Sequence, residues 1–160
     1  MILAGTGHRP PRLNLGYDLA SRKLLRDFVC GHLIALKPSK VISGGAQGFD
    51  QALAEAALEL GIPLVVAAPF EGQEKKWPAE AQRIYRDILS KATVEIVCEG
   101  GYAGWKFIKR DQWMILNSNS VIALWDGTKS GGTWETVAFA QKLGREIICV
   151  WDEWLAFRGK

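Results

Sequence analysis

Residues 120–144, SVIALWDGTKSGGTWETVAFAQKLG, decide the fold. The stretch opens on a short apolar run of the kind found in strands that are buried on both faces of a parallel sheet. The run ends in DGTKSGGT, residues 126–133, which holds three glycines. Apolar residues then recur at helical spacing over 133–143, and Gly144 follows as a C-terminal cap. Strand, glycine loop, helix and Leu-Gly make most of a βαβ crossover. The apolar run at 146–151 supplies its second strand. The same plan occurs earlier in KVISGGAQGFDQALAEAALELGIPLVV, residues 40–66.

Working outward, apolar runs at 2–4, 40–43, 63–68, 93–98, 121–125 and 146–151 read as strands. The spans 19–36, 50–60, 78–91, 105–116 and 133–143 read as helices, and residues 152–160 as a short amphipathic turn packed on the edge. This alternation predicts the α/β class. The expected architecture is a three-layer Rossmann-like parallel sheet with helices on both faces, in one domain spanning residues 1–160.

Composition narrows the function classes. An apolar share of 48% is too high for a disordered chain, and no apolar run reaches the roughly 18 residues of a membrane span. The start, MILAGTGHRPPR, has no basic region ahead of its apolar residues and so does not read as a secretory signal. A cytoplasmic protein without a membrane partner is expected. The net charge of +3 is scattered along the chain and forms no dense basic stripe. Cys30, Cys98 and Cys149 form no CxxC pair, so neither zinc nor a disulfide framework is indicated. All three are expected to be small buried residues, and no metal or cofactor is expected.

Three glycine-bearing segments follow predicted strands: Gly5-Thr6-Gly7-His8-Arg9, Gly44-Gly45-Ala46-Gln47-Gly48, and residues 127–133. In a parallel sheet all strand carboxyl ends share one edge, where ligands bind. Glycine lets backbone N–H groups approach a ligand closely, and the helices that follow present free amides and a positive dipole end. The combination suits a phosphate or another anion. Thr6, Ser43, Ser130 and Thr133 add hydroxyls, while Arg9, Lys129 and Arg110 add charge. Neither GxxxxGK[ST] nor a GxGxxG opening a helix occurs, which argues against a P-loop ATPase and ordinary NAD binding.

The segments GTGHRP, SGGAQGFDQALAEAALELGIPL and SVIALWDGTKSGGTWETV resemble the SLOG superfamily over nearly the whole chain. This Rossmann-like group includes the lonely-guy phosphoribohydrolases and DNA-processing protein A. The likeness is greatest to its small bacterial and phage branch, whose members also begin with Gly-His-Arg-Pro. The phosphoribohydrolases carry Arg-Lys-x-x-Met on a helix and Pro-Gly-Gly-x-Gly-Thr-x-x-Glu after a strand, with the Arg and final Glu acting on an N-glycosidic bond. Arg110 and Met114 match the first spacing, with Asp111 in place of the Lys. Gly132 and Thr133 match the Gly-Thr, but the Glu position holds Thr136, and Glu135 stands one residue early, about 100° around a helix.

From the residues and the resemblance together, the expected ligand set is Thr6, Gly7, His8, Arg9, Ser43, Gly44, Gly45, Gly48, Asp50, Asp126, Gly127, Ser130, Gly131, Gly132 and Thr133. Arg110 and Glu135 are the candidate catalytic pair. Asp50 reads either as a helix N-cap or as a partner of a ribose hydroxyl. His8 reads as a loop residue bonded to backbone, or as a donor or acid–base group near neutral pH. Trp105, Trp113 and Trp134 read as core, or as stacking surfaces for a base. The leading expectation is a domain that binds a nucleotide or nucleotide-derived small molecule. The alternatives are N-glycosidic cleavage or transfer on nucleoside monophosphates, and binding of single-stranded DNA. The resemblance also implies a homodimer.

Overall fold

In the computed structural model, which describes residues 1–159, six parallel strands form one sheet in the order β4-β3-β2-β1-β5-β6. The strands are β1 (Ile2–Gly7), β2 (Lys40–Ser43), β3 (Leu64–Ala68), β4 (Thr93–Ile96), β5 (Ser120–Leu124) and β6 (Glu146–Cys149). The helices are α1 (Leu19–Leu36), α2 (Phe49–Glu59), α3 (Ala79–Ser90), α4 (Trp105–Leu116), α5 (Gly132–Lys142) and α6 (Trp151–Arg158). The three-layer Rossmann-like α/β expectation holds. Helices α1, α2, α3 and α6 cover one face, while α4 and α5 cover the other.

Leu3, Val41, Leu53, Val66 and Ile122 pack with Phe28, Phe49 and Trp154 on the first face. Ala4, Ile42, Ala67, Met114, Ile115, Val121 and Ala140 form the core of the second. The two similar segments that frame the sequence become β2–α2–β3 and β5–α5–β6. They flank β1 on opposite sides and send their helices to opposite faces. Between β2 and β5 the strand order reverses, so β1 marks the switch point where a crevice forms.

Several local expectations need correction. The segment Gly5-Thr6-Gly7 is not a loop: β1 continues through Gly7, which pairs with Leu124 of β5. A Cβ on Gly5 would lie 2.2 Å from Leu53 Cδ2, and one on Gly7 would lie 2.6 Å from Phe49 Cγ. These glycines therefore let α2 seat against the sheet. β4 is not buried on both faces, since all four of its residues are exposed at the sheet edge. The tail is a two-turn helix rather than an edge turn. It carries Trp154, fully buried, onto Phe28 at a ring separation of 5.3 Å. Cys149 is exposed, while Cys30 and Cys98 are only partly buried.

Candidate functional site

A cleft of about 440 Å³ opens at the carboxyl ends of β1, β2 and β5. Its lining takes Thr6, Gly7, His8 and Arg9 from the first segment, and Ala46, Gln47 and Asp50 from the second. Phe107, Arg110 and Asp111 come from α4, Gly132 and Thr133 from the start of α5, and Arg12 from the turn after Arg9. The three glycine segments thus converge on one rim.

The first segment is held by its own sequence. Pro10 and Pro11 fix φ and set a 3₁₀ turn over Pro10–Leu13. In that geometry residues three apart lie one above the other, so Arg9 and Arg12 reach the same mouth. Arg9 is exposed, and its side chain makes no hydrogen bond or ion pair among the described residues. Arg12 Nη2 lies 2.5 Å from Asp126 Oδ2, which ties the first segment to the third. Asp126 Oδ1 also accepts from the Thr128 amide at 2.9 Å. Partial burial works against its charge, but the Arg12 guanidinium and the Thr128 donors outweigh it. They hold the Asp126 carboxyl well below the usual range. Asp126 does not line the cleft; its carboxylate is spent on positioning Arg12.

His8 is almost fully buried. Its Nε2 lies 3.1 Å from the Asp126 backbone nitrogen and 3.2 Å from Asp126 Oδ1. Burial lowers its pKa and outweighs the nearby Asp126 carboxylate. The ring is neutral near pH 7 and meets Trp151 edge-on at 6.0 Å.

The second segment is occupied with its own structure. Ser43 Oγ donates to the Asp50 carbonyl at 2.6 Å and accepts from the Gly45 amide at 3.2 Å. Gln51 Nε2 donates to the Gly45 carbonyl at 3.1 Å. Gln73 Nε2 bridges the Gly44 carbonyl and the Tyr85 hydroxyl at 3.0 and 2.9 Å. At the head of α2, the Phe49 amide donates to His8 O and the Gln51 amide to Ala46 O. Ser43, Gly44, Gly45 and Gly48 accordingly shape the floor without lining the cleft.

Arg110 crosses beneath the cleft from α4. Its Nη1 donates to the carbonyls of Gly44 at 2.8 Å and Ala67 at 3.1 Å, and its Nε to Asp111 Oδ1 at 2.7 Å. A Cβ on Gly44 would sit 2.8 Å from the guanidinium and 2.9 Å from an Asp50 carboxylate oxygen, so glycine is needed there. Asp50 has no side-chain N-cap role: the cap of α2 is Gly48, and Asp50 stands in the first turn. Burial raises its pKa. Arg110 opposes that, Asp111 adds to it, and the net effect pushes the carboxyl up to about 6.

The third segment differs from the second. No side chain caps α5. Its first internal bond runs from the Glu135 amide to Gly131 O. Among the described residues the amides of Gly132, Thr133 and Trp134 donate to no protein group, and Gly131 and Gly132 face open space. Gly127, Ser130 and Gly131 are exposed on the loop beside the cleft, outside its lining.

The structure separates the candidate catalytic pair. Glu135 points outside the cleft, against Ile108, Gln112 and Phe139 between α4 and α5. None of Trp105, Trp113 and Trp134 lines the cleft, and of the three only Trp113 packs on a core as its first reading had it. Trp134 stacks on Trp125 at 5.4 Å, Trp113 packs into the second core, and Trp105 is exposed away from the lining. Phe107 is the aromatic wall instead. Sequence reasoning also missed Arg12 and Gln47. Among the described residues no group of His, Cys, Asp and Glu could hold a metal ion, and no helix is long and apolar enough to cross a membrane.

The chain belongs to the YspA SLOG family, whose model matches residues 3–146. It is 30% identical to a UPF0398 protein of Brevibacillus brevis over 74% of this chain and 65% of that protein. It is 32% identical to the SPbeta prophage-derived protein YoqJ of Bacillus subtilis, over 68% of this chain and 74% of YoqJ. The fold is shared with DNA processing protein A of Helicobacter pylori, described for its single-stranded DNA binding. That likeness has a TM-score of 0.68 at 20% identity and covers 93% of this chain and 64% of that one. The molybdenum cofactor carrier protein of Chlamydomonas reinhardtii shares it at a TM-score of 0.58 and 21% identity, over 92% and 74%. The chain thus spans slightly under two thirds of the Brevibacillus and Helicobacter proteins.

Proposed function

We propose that this SLOG-family chain binds a nucleotide or nucleotide-derived small molecule in the cleft at the carboxyl ends of β1, β2 and β5. The observation that carries the reading is the meeting of the unpartnered Arg9 and the Asp126-held Arg12 with the uncommitted amides that open α5. Guanidinium groups and helix-start amides are both suited to a phosphate. Asp50 lies deeper, where a carboxylate or a carboxylic acid can bond ribose hydroxyls. Phe107 gives an apolar wall. The volume falls within the range of small-molecule sites, about 300–1,000 Å³.

Titration calorimetry with AMP, ADP, ADP-ribose and a cyclic nucleotide, against adenosine as the unphosphorylated control, tests the reading. A phosphorylated ligand should bind at least about tenfold more tightly than adenosine, a difference of about 1.4 kcal/mol. Binding should weaken in Arg9→Ala and in Gly132→Asp. If no phosphorylated ligand binds, or if both variants bind like wild type, the reading is wrong.

A second reading, a segment of single-stranded nucleic acid, draws on the likeness to the Helicobacter protein and on the exposed Arg9 and Arg12 at the cleft mouth. Salt-sensitive binding of an oligonucleotide that AMP fails to displace would favour it over the first. N-glycosidic cleavage by Arg110 with Glu135 is not proposed, because Glu135 stands outside the cleft and Arg110 is bonded to two backbone carbonyls.

A further inference from the structure

The third segment is held firmly where it leaves β5 and loosely where it enters α5. Thr128 is gripped through both of its backbone groups. Its amide donates to Asp126 Oδ1 and its carbonyl accepts from the Trp125 indole Nε1, each at 2.9 Å. Beyond it, Lys129 and Ser130 make no hydrogen bond among the described residues. Gly131 follows at φ +88°, and no side chain caps the helix it opens.

An aromatic pair bridges this gap. Trp134, in the first turn of α5, stacks on Trp125 at the end of β5, with ring centroids 5.4 Å apart and planes within 19°. Lys129 Nζ adds a cation 5.7 Å from the Trp134 ring centre. Trp125 thus acts in two directions, through its N–H on the loop and through its ring on the helix. Both rings are half-buried. Neither packs with the two cores that hold the sheet and its helices, and neither lines the cleft. Sheet packing and ligand contact therefore both leave the pair unexplained. What it does fix is the place of Trp134, the last of the three residues whose amides stand without a protein partner.

We infer that Trp125 and Trp134 are positioning residues for the start of α5: their stack sets the amides of residues 132–134 toward an anion before the ligand arrives. Donors fixed in advance need no ordering on binding, which is where preorganisation gains affinity. The inference rests on the proposed function and adds the residues that tune its phosphate contact without touching the ligand.

Calorimetry with AMP, ADP and ADP-ribose, with adenosine as the unphosphorylated control, tests it in four variants. Trp134→Leu and Trp125→Leu break the stack from either side, so each covers the other should one fail to fold. Both should weaken the phosphorylated ligands by about tenfold and leave adenosine within about twofold of wild type. Trp134→Phe keeps a ring on Trp125 and should restore most of the loss. Trp125→Phe keeps a ring against Trp134 but loses the bond to Thr128, and should fall between. Without ligand, hydrogen exchange at the Glu135 amide, the first one bonded inside α5, should quicken in the Leu variants. If wild type binds a phosphorylated ligand and the Leu variants bind it equally well, the inference is overturned and the proposed function stands. It is also overturned if phosphorylated ligands and adenosine weaken together, or if Phe at 134 restores nothing. Wild type that binds none of the phosphorylated ligands overturns both.

Discussion

Replacing Asp50 by Asn should stabilise the protein, and by more at alkaline than at acid pH. Burial, set against Arg110 and Arg9 and reinforced by Asp111, raises this carboxyl from 3.8 to about 6. The native state therefore binds a proton more tightly than the unfolded chain, and stability falls as pH rises between those two values. With one pKa unit worth about 1.36 kcal/mol, the full cost of ionising Asp50 in place is about 3 kcal/mol. At pH 8 nearly all of it is felt. At pH 5 the native group is still mostly protonated while the unfolded one is ionised, and roughly half of it is felt. Asn keeps the shape and cannot ionise. Its advantage over Asp should therefore grow by roughly 1 kcal/mol from pH 5 to pH 8. Urea unfolding of both proteins at the two pH values measures it, with m-values checked for equality. An advantage that is the same at both pH values, or that shrinks toward pH 8, would show that Arg110 and Arg9 hold Asp50 ionised and that the desolvation argument is wrong.

Arg9→Ala should weaken binding of a phosphorylated ligand by roughly 5–20-fold, the loss of one charge-assisted contact. It should leave the melting temperature nearly unchanged, because the Arg9 side chain has no hydrogen bond or ion pair to lose among the described residues. Glu135→Ala should leave ligand affinity within about twofold of wild type by the same calorimetry, since the side chain lies outside the lining. Trp154→Ala should cost about 3–5 kcal/mol in urea unfolding, because the indole is fully buried among Phe28 and Phe157. Gly7→Ala should cost about 1–3 kcal/mol by overpacking, since its new methyl would overlap the Phe49 ring.

The parallel α/β architecture was legible because two periodicities alternate without interruption, and one repeated plan, β2–α2–β3 and β5–α5–β6, fixes the direction of both crossovers. Elements whose character depends on the finished sheet were not legible. Nothing in TVEI announces an edge strand, and a turn and a two-turn helix look alike in WDEWLAFR until Trp154 finds Phe28. Two missed site residues did carry a signal. In RPPR the paired prolines enforce a 3₁₀ turn, and the three-residue spacing then places Arg12 with Arg9. Phe107 lies three residues before Arg110, on the same helical face. Glu135 was misplaced because motif spacing tolerates one residue, whereas a helix face does not.

The glycines make the harder lesson. Gly5, Gly7, Gly44 and Gly132 look alike in a sequence, but only contact geometry tells what each omits a side chain for. At Gly5 and Gly7 the space is filled by Leu53 and Phe49 of α2, and at Gly44 by Arg110 and Asp50. Those glycines serve the protein's own packing, and the amides and carbonyls around the second segment are largely bonded internally. At Gly131 and Gly132, among the described residues, the space is empty and three successive amides are without a partner. Under the proposed function, the anchoring of an anion would therefore fall on one segment, the stretch that also decided the fold, with the other two building the floor and carrying the arginines. On this division, Gly132→Asp should weaken a phosphorylated ligand far more than any change confined to the packing glycines that leaves the fold intact.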